Sequence, residues 1–273
     1  LARPRIYDRV LNRDEVGTEV HDSAGLLAAW DFGRDMESEK VTDISINQLD
    51  GKTVNLPTRA VTGPGWSGSA MNWMECPKEY DAIHFHEDDL LDCGWEVDVT
   101  FSIPDGFRSG VYALRCRSST GEQRIPFFVR PKRGSAVEKI ALLMPTATYM
   151  MYGNQHANYR ERLNEMMRGA LIELSPSDVY LNDHPEFGLS SYDTHCDGSG
   201  VFYVTRHRPI LNLQPMTRLW NFNIDMFIVD WLEARGTAFD VITDEDLHNE
   251  GLDLLKPYQV VITGSHPEYT SLP

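Results

Sequence analysis

The chain has 273 residues and carries 25 lysines and arginines against 41 aspartates and glutamates, a formal net charge of −16. It has no block rich in basic residues and no apolar run of the roughly 20 residues that cross a bilayer, which argues against nucleic acid and membranes as partners. The length predicts about two domains, and four widely spaced cysteines without a CxxC motif favour free thiols in a reducing cytoplasm.

Residues 1–25 are predicted to form a small unit of their own. A short strand leads into a helical turn, with Asn12 as its N-cap and Glu15 three residues later. This segment resembles the closing segment of concanavalin- and laminin-G-type jelly rolls. The chain does not begin with Met and stops at Pro273, shortly after a polar cluster. We therefore expect it to be a segment of a longer polypeptide.

Residues 26–134 are predicted to form a β-rich, immunoglobulin-like sandwich. Strand-sized apolar stretches are separated by turn residues, and the stretch at 95–101 alternates apolar and polar residues. The predicted strands cover residues 27–32, 95–101, 110–115 and 124–130. A basic, proline-containing stretch at 130–135 is predicted to be the linker to the next domain.

Residues 135–273 are predicted to form the first part of an α/β catalytic domain. Strands and helices alternate, which is typical of right-handed βαβ units and a parallel sheet. The predicted strands lie at 139–144, 239–243 and 260–262, and the predicted helices at 225–233 and 245–255. The fold class is therefore multidomain β plus α/β, with a glutamine-amidotransferase-like or flavodoxin-like second part.

Polar side chains follow two of the predicted parallel strands. His266 and Glu268 come directly after the last strand, and Tyr149 and Tyr152 follow the first. Chemistry in open parallel sheets gathers beyond the carboxyl ends of the strands, and the long loop that carries Tyr192 can reach the same rim. Phenolate and carboxylate oxygens suit a hard cation such as Fe(III). The alternatives are a polar turn that caps the next helix and other choices among the eleven tyrosines.

Three further motifs have simpler interpretations. The GPGWSG stretch at 63–68 has G-x-G-x-x-G spacing but opens no predicted helix, so a dinucleotide loop is disfavoured. His84 and His86 share a strand face with acidic residues nearby and form a candidate metal site, although acidic turns with histidines are common on surfaces. His195 and Cys196 are adjacent, and neighbouring side chains in an extended segment point apart, so a nucleophilic Cys–His pair is disfavoured.

Eight segments resemble, in order, the large subunit of the bacterial N,N-dimethylformamidase family. They lie between residues 27 and 269, and their combination is more specific than any one motif. The segments are LAAWDF (27–32), NLPTR (55–59), FHED (85–88), IPFFV (125–129), YMMYGN (149–154), GLSSYDTHCDGSGV (188–201), RPILNL (208–213) and GSHPEY (264–269).

The resemblance implies an iron-dependent amidohydrolase that converts N,N-dimethylformamide to dimethylamine and formate. Members of this family hold a mononuclear iron by two tyrosines and one carboxylate. Their motifs match Tyr152 and Tyr192 as the phenolate ligands and Glu268 as the carboxylate ligand. His266 matches a histidine near the iron and becomes the candidate for proton transfer. Tyr269, the last residue of the same motif, receives no role.

The resemblance also implies partners and shows departures. The family's enzyme contains pairs of large and small subunits in a hetero-oligomer, and further pocket residues of the family fall beyond the end of this chain. Gly153 and Cys196 differ from the family pattern without touching a proposed ligand. The hydrophobic residues Phe187 and Met151 are expected to favour N-methyl groups in a small amide substrate.

Two other functions are compatible with the same sequence. One is a cysteine hydrolase on a glutamine-amidotransferase-like domain with Cys196 as nucleophile. The other is a non-catalytic module whose β-rich domains bind a carbohydrate or a protein. The first predicts that activity depends on Cys196, and the second predicts no turnover of any small amide.

Overall fold

The computed structural model describes residues 1–16, 24–156, 166, 169, 173–215 and 220–271. The chain divides into two compact units, Leu1–Asp92 and Cys93–Pro273. Both are rich in strands, so the prediction of a β-rich chain with more than one domain is confirmed, while the immunoglobulin-like and flavodoxin-like assignments stay predictions. Among the described residues no helix is both long and apolar enough to cross a bilayer.

The first unit is built from short antiparallel strands. A four-stranded sheet has the order β1-β2-β3-β4, and β5 pairs with β6. Its small core contains Phe32, Val41 and Ile83, with Trp30 packed against them. The elements are β1 (Arg5–Tyr7), β2 (Leu26–Asp31), β3 (Lys40–Asp43), β4 (Gly51–Lys52), β5 (Thr58–Val61), a 3-10 helix (Pro77–Glu79) and β6 (Ala82–His84).

The N-terminal segment belongs to this sheet instead of forming a separate unit. Strand β1 pairs with β2, and Arg5 lies opposite Ala29. The predicted capping exchange is present: Glu15 N donates to Asn12 Oδ1 at 3.1 Å, and Asn12 N donates to Glu15 Oε2 at 2.7 Å. Residues 17–23 of the predicted unit lie outside the described residues.

The second unit alternates strands and helices after an initial hairpin, and its parallel sheet is as predicted. The strand order is β10-β9-β11, with both neighbours parallel to β9. Its elements are β7 (Gly110–Arg117), β8 (Glu122–Val129), β9 (Ile140–Met144), α1 (Thr146–Tyr152), α2 (Pro176–Asp183), a 3-10 helix (Pro185–Phe187), α3 (Trp220–Ala234), β10 (Asp240–Thr243), α4 (Asp244–Glu250), a second 3-10 helix (Gly251–Leu254) and β11 (Val260–Thr263).

Helices cover both faces of the central strand because β9 is apolar on both sides. Alternate residues of a strand point to opposite faces, and the two core clusters follow that alternation. Leu142 and Met144 pack with Phe222 and Leu232 of α3. On the other face Ala141 and Leu143 pack with the segment that follows α4, through residues that include Leu254.

The hairpin of β7 and β8 joins the second unit, so the division falls at 92/93 and not at the predicted 134/135. The hydroxyl of Ser109, just before β7, accepts a hydrogen bond from Val241 N at 2.7 Å and donates to Val129 O at 2.9 Å. These bonds tie both hairpin strands to β10. The linker-like composition of residues 130–135 therefore marks a loop within the unit.

Two predicted strands differ in the structure. Residues 95–101 form no strand, because none of the described strands pairs with them, and Trp95 and Val97 are 63% and 80% exposed. Strand β11 exists, but its predicted burial on both faces is wrong. Val260 is 49% exposed because, among the described strands, β11 lies at the edge of its sheet.

Candidate functional site

Two tyrosines and one glutamate converge just beyond the parallel sheet. The hydroxyls of Tyr152 and Tyr192 donate to the same oxygen, Glu268 Oε2, at 3.0 and 2.9 Å. The two phenol rings are stacked, with centroids 3.9 Å apart and planes inclined by 23°. Residues 40 or more positions apart in the sequence therefore place three oxygen atoms within hydrogen-bond distance.

His266 lies against the same oxygen. Its Nε2 is 2.9 Å from Glu268 Oε2, and its ring meets that of Tyr152 edge-on, with centroids 6.1 Å apart. The imidazole and the carboxylate are each more than one-third exposed. The four sequence-predicted site residues thus lie together, and a side chain able to carry a proton is adjacent to the oxygen cluster.

Tyr269 also belongs to this cluster, although the sequence assigned it no role. Its hydroxyl lies 2.8 Å from that of Tyr192. Consecutive side chains diverge in an extended strand, but here Glu268 N donates to His266 O at 2.9 Å and closes a tight turn. The chain therefore turns both Glu268 and Tyr269 towards Tyr192. In the sequence, this contact is indicated by the position of Tyr269 directly after Glu268.

Helix α1 positions Tyr152 and the main chain at Glu268. The helix begins after Pro145, which follows β9, and Tyr152 is its last residue. Thr148, on the same helix and completely buried, accepts a hydrogen bond from Glu268 N at 3.2 Å. The first parallel strand and its helix thereby set the distance between one phenol and the carboxylate.

A buried aspartate positions the exit of β11. Asp225 Oδ1 accepts a hydrogen bond from Ser265 N at 2.5 Å, and Tyr149 donates to the other carboxylate oxygen. Tyr149 is completely buried, and this burial raises its pKa. The rim position predicted for Tyr149 is therefore wrong, because its hydroxyl points to Asp225 in the core. Gly264 fits this exit because a Cβ there would lie 2.5 Å from Pro145 Cδ.

A second buried aspartate fixes the loop that carries Tyr192. Asp193 accepts hydrogen bonds from Ser190 N at 3.0 Å and from His156 N and Nδ1 at 2.9 and 2.8 Å. Ser191 N donates to Met151 O at 3.1 Å. The loop has no regular secondary structure. These hydrogen bonds therefore do what the backbone bonds of a strand would do, and hold Tyr192 next to the end of α1.

Arg208 holds the two tyrosine-bearing segments to each other. Its side chain is buried and donates to four carbonyl oxygens. One nitrogen, Nη2, reaches Met150 O and Gly153 O, both at 3.1 Å, on either side of Tyr152. The other, Nη1, reaches Gly188 O and Leu189 O at 2.9 and 2.5 Å, in the segment leading to Tyr192. Burial lowers the pKa of Arg208 to about 10.

The protonation of the cluster follows from these contacts. Burial is the main cause that raises the pKa values of Tyr152 and Tyr192. Burial also raises the pKa of Glu268, but hydrogen bonds from Tyr192, Tyr152 and His266 outweigh it and lower that pKa. The arrangement is thus a carboxylate that accepts hydrogen bonds from two phenolic hydroxyls, which keep their protons. A cation bound to the three oxygens would replace these protons, and three hard oxygen donors fit a hard ion.

The other candidate residues lie elsewhere. Cys196 is exposed, in a loop closed by a hydrogen bond from His195 N to Ser199 O at 2.9 Å. Phe187 is buried against Trp95, Tyr180 and His184, with ring centroids 5.4, 5.8 and 5.3 Å away. It therefore packs in a separate aromatic group, and its predicted contact with N-methyl groups has no support in these contacts.

Two motifs of the first unit have local structural explanations. His86 Nδ1 lies 3.1 Å from Asp89 Oδ1, and the rings of His84 and His86 are 4.1 Å apart. The GPGWSG stretch opens no helix. Its Gly63 N donates to Glu79 O at 2.8 Å, and Ser67 Oγ donates to Glu79 Oε1 at 2.6 Å. The stretch is a loop wrapped around a buried glutamate.

Comparisons with known proteins identify relatives across almost the whole chain. A family model described as "N,N-dimethylformamidase beta subunit-like, C-terminal" matches residues 58–273. The N,N-dimethylformamidase beta subunit of Paracoccus aminophilus is 41% identical over 282 positions, which cover 97% of this chain and 37% of that protein. The beta subunit of the same name from Alcaligenes sp is 38% identical over 281 positions, with the same coverage. The chain thus spans little more than a third of the length of these curated relatives.

Proposed function

We propose that this chain, which belongs to the N,N-dimethylformamidase beta subunit-like family, supplies the catalytic oxygen cluster of an enzyme that hydrolyses small N,N-dialkylformamides. One observation carries the proposal: the hydroxyls of Tyr152 and Tyr192 meet on one oxygen of Glu268, with His266 at 2.9 Å from that oxygen. The names of the relatives supply the substrate, N,N-dimethylformamide. The overall reaction takes up one water and yields formate and a dialkylammonium ion.

The cofactor in this proposal is a mononuclear iron, in the Fe(III) state, held by Tyr152, Tyr192 and Glu268. The donor set supports it, because all three atoms are oxygens and two of them become phenolates when they lose their protons. Such an ion polarises an amide carbonyl and makes a bound water more acidic. A tertiary formamide needs this assistance, since resonance makes its carbonyl a poor electrophile.

His266 carries the proton in this proposal. The amine leaves the amide only when its nitrogen gains a proton, which requires a general acid within reach. Nε2 of His266 faces the oxygen cluster, and the ring is partly exposed, so it can exchange protons with water. Tyr269 acts through Tyr192, because its hydroxyl at 2.8 Å orients the phenol that the cofactor requires.

The partner in the proposal is a second, smaller subunit. The relatives are named beta subunits, which implies an enzyme of more than one kind of chain. We extend this to a hetero-oligomer with pairs of large and small subunits. The cytoplasm is the proposed location, and the four free cysteines are consistent with its reducing conditions.

Metal analysis and the visible spectrum of the purified full polypeptide test the proposal. A phenolate bound to Fe(III) gives a charge-transfer band, and we expect Tyr192→Phe to abolish this band together with formamide turnover. Tyr180→Phe is the matched control, because Tyr180 is 47% exposed and packs in the aromatic group of Phe187.

Three results would contradict the proposal. One is an active enzyme without iron and without colour. The second is loss of turnover in Cys196→Ala with full turnover in Tyr192→Phe, which would favour the cysteine hydrolase. The third is no hydrolysis of any formamide, combined with binding of a carbohydrate or a protein, which would favour a non-catalytic module.

A further inference from the structure

A cavity of about 760 Å³ lies beside the tyrosine cluster, within the second unit. It opens at the carboxyl ends of β9 and β10, where Thr146 and Thr243 line it, and Tyr269 forms part of its wall. The hydroxyl of Tyr269 reaches Tyr192. One side chain therefore belongs to both the oxygen cluster and the cavity.

The cavity occupies the position in the sheet where ligands of such folds bind. The segment after β9 leads to α3, which packs on one face of the sheet, and the segment after β10 packs on the other face. Chains that leave neighbouring parallel strands in opposite directions open a crevice at their carboxyl ends. The location alone thus favours a ligand site over a packing defect.

Three carboxylates but two arginines line the cavity, so one carboxylate has no arginine partner on the lining. Glu245 pairs with Arg206 at 2.6 Å, and Asp246 pairs with Arg130 at 2.7 Å. Asp244 has no ion pair among the described residues, and the hydrogen bond it accepts comes from Ala147 N at 3.2 Å. His248 and Tyr269 are the remaining titratable groups of the lining. Burial raises the pKa of Asp244, which marks its negative charge as poorly compensated.

The remaining walls are apolar and aromatic. They select against small hydrated metal ions, which need several oxygen ligands, and favour a cation that carries alkyl groups. The faces of aromatic rings attract such cations, and the methyl groups of an alkylammonium ion gain from apolar contact. The apolar and aromatic side chains of the lining are Phe127, Phe128, Met150, Leu247, Leu252 and Tyr269.

We propose that this cavity binds a small alkylammonium ion, with Asp244 as the counter-ion. The inference rests on the proposed function in one respect: hydrolysis of a dialkylformamide releases an amine that gains a proton in neutral water. The ion produced at the oxygen cluster then has an acidic, aromatic-walled site on the other side of Tyr269. The cavity is an exit or holding site for the amine product.

Titration of the purified full polypeptide, without added metal, with dimethylammonium chloride tests this site. Binding is measured by calorimetry and by saturation-transfer NMR of the methyl protons, with sodium chloride at equal ionic strength as the blank. We expect Asp244→Asn to weaken binding by about tenfold, as loss of a charge-assisted contact implies. Asparagine retains an acceptor for Ala147 N, so the fold should tolerate it. Asp253→Asn is the matched control and should bind as the unchanged protein does, because Asp253 is exposed, pairs with Lys256 and lies outside the lining of the cavity.

A second measurement needs no variant. Intermolecular NOEs between the bound methyl protons and the rings of Phe127, Phe128 or Tyr269 place the ion in the cavity. Equal affinity of the unchanged protein and Asp244→Asn, or the absence of these NOEs at saturation, overturns the inference. Both readouts are independent of turnover. Failure of the cavity site therefore leaves the hydrolase proposal standing, and failure of formamide hydrolysis leaves the binding result intact.

Discussion

Among the residues that the structure describes, each unit contains one buried arginine that holds carbonyl oxygens together. In the first unit Arg59 is 7% exposed, and in the second Arg208 is also 7% exposed. Arg59 donates to five carbonyls and Arg208 to four. The acceptors of Arg59 belong to Phe32, Arg34, Asp35, Ser38 and Lys40. A guanidinium suits this task because it presents several donors in a fixed plane.

The two arginines differ in what the connected segments carry. Arg59 closes the turn between β2 and β3 by donating to carbonyl oxygens along it. Arg208 joins the end of α1, which carries Tyr152, to the loop that leads to Tyr192. The same physical device therefore stabilises a turn in one unit and sets the separation of two phenols in the other. A buried arginine of this kind therefore contributes to a functional site only when the residues next to its carbonyl acceptors belong to that site.

The largest expected effect separates these two roles. Arg59→Met and Arg208→Met each leave several buried carbonyls unsatisfied, so each should lower the free energy of unfolding by about 3 kcal/mol or more. Only Arg208→Met should also abolish the near-ultraviolet circular dichroism of the stacked tyrosine pair. Urea denaturation and circular dichroism of both variants provide the measurement. An unchanged tyrosine signal in Arg208→Met would contradict the assigned role.

Two glycines give a smaller contrast between the units. A Cβ at Gly264 would lie 2.5 Å from the ring of Pro145 and 2.7 Å from Asp225 Oδ2, neither of which can move easily. At Gly63 the nearest atom is the end of a side chain, Asp81 Oδ1, at 1.7 Å. We expect Gly264→Ala to cost about 2 kcal/mol and Gly63→Ala less. Gly121→Ala, with no atom within 4 Å of its Cβ, should be close to neutral in the same thermal melts.

One carboxylate in each unit should respond to acid in the opposite way to the other. Burial raises the pKa of Asp43 in the first unit, but hydrogen bonds from Ala29, Ser45 and Leu49 outweigh it and lower the pKa from 3.8 to about 2. Its stabilisation is complete above pH 3.8 and is lost as the pH falls through about 2. Burial raises the pKa of Asp244 in the second unit. Its contribution is complete below its ordinary pKa and is lost as the pH rises through the raised value.

Melting temperatures between pH 2 and pH 7 test these opposite signs. Asp43→Asn should destabilise the chain at neutral pH and have little effect near pH 2. Asp244→Asn should stabilise it at neutral pH and lose that advantage below the ordinary pKa of a carboxyl group. Equal pH profiles for both variants would show that one of the two carboxylates is not held as described.

The smallest effect concerns the hydroxyl that the sequence did not select. Tyr269→Phe removes one hydrogen bond of 2.8 Å to Tyr192, which should lower the free energy of unfolding by about 1 kcal/mol or less. The turn at His266 and Glu268 does not depend on this hydroxyl. Chemical denaturation measures the change, and a loss as large as that of Arg208→Met would assign Tyr269 a structural role beyond this contact.

Local chemistry in the sequence determined several of the elements. Apolar β-branched runs predict β9 and β10, and the exchange between Asn12 and Glu15 is readable because it involves residues three apart. Tyr152, Tyr192, Glu268 and His266 were selected through the family resemblance. Their role as iron ligands and proton carrier stays a prediction.

Only the tertiary structure decided which side chains meet, because contact depends on partners far away in the chain. Residues 95–101 alternate like a strand, yet no strand of the described chain pairs with them and their apolar side chains stay exposed, and β11 looks buried but lies at an edge of the described sheet. Tyr149 turns to Asp225, while Tyr269 turns to Tyr192. The four carbonyls that accept from Arg208 come from the end of α1 and from the loop before Tyr192, and no local pattern encodes the distance between these segments.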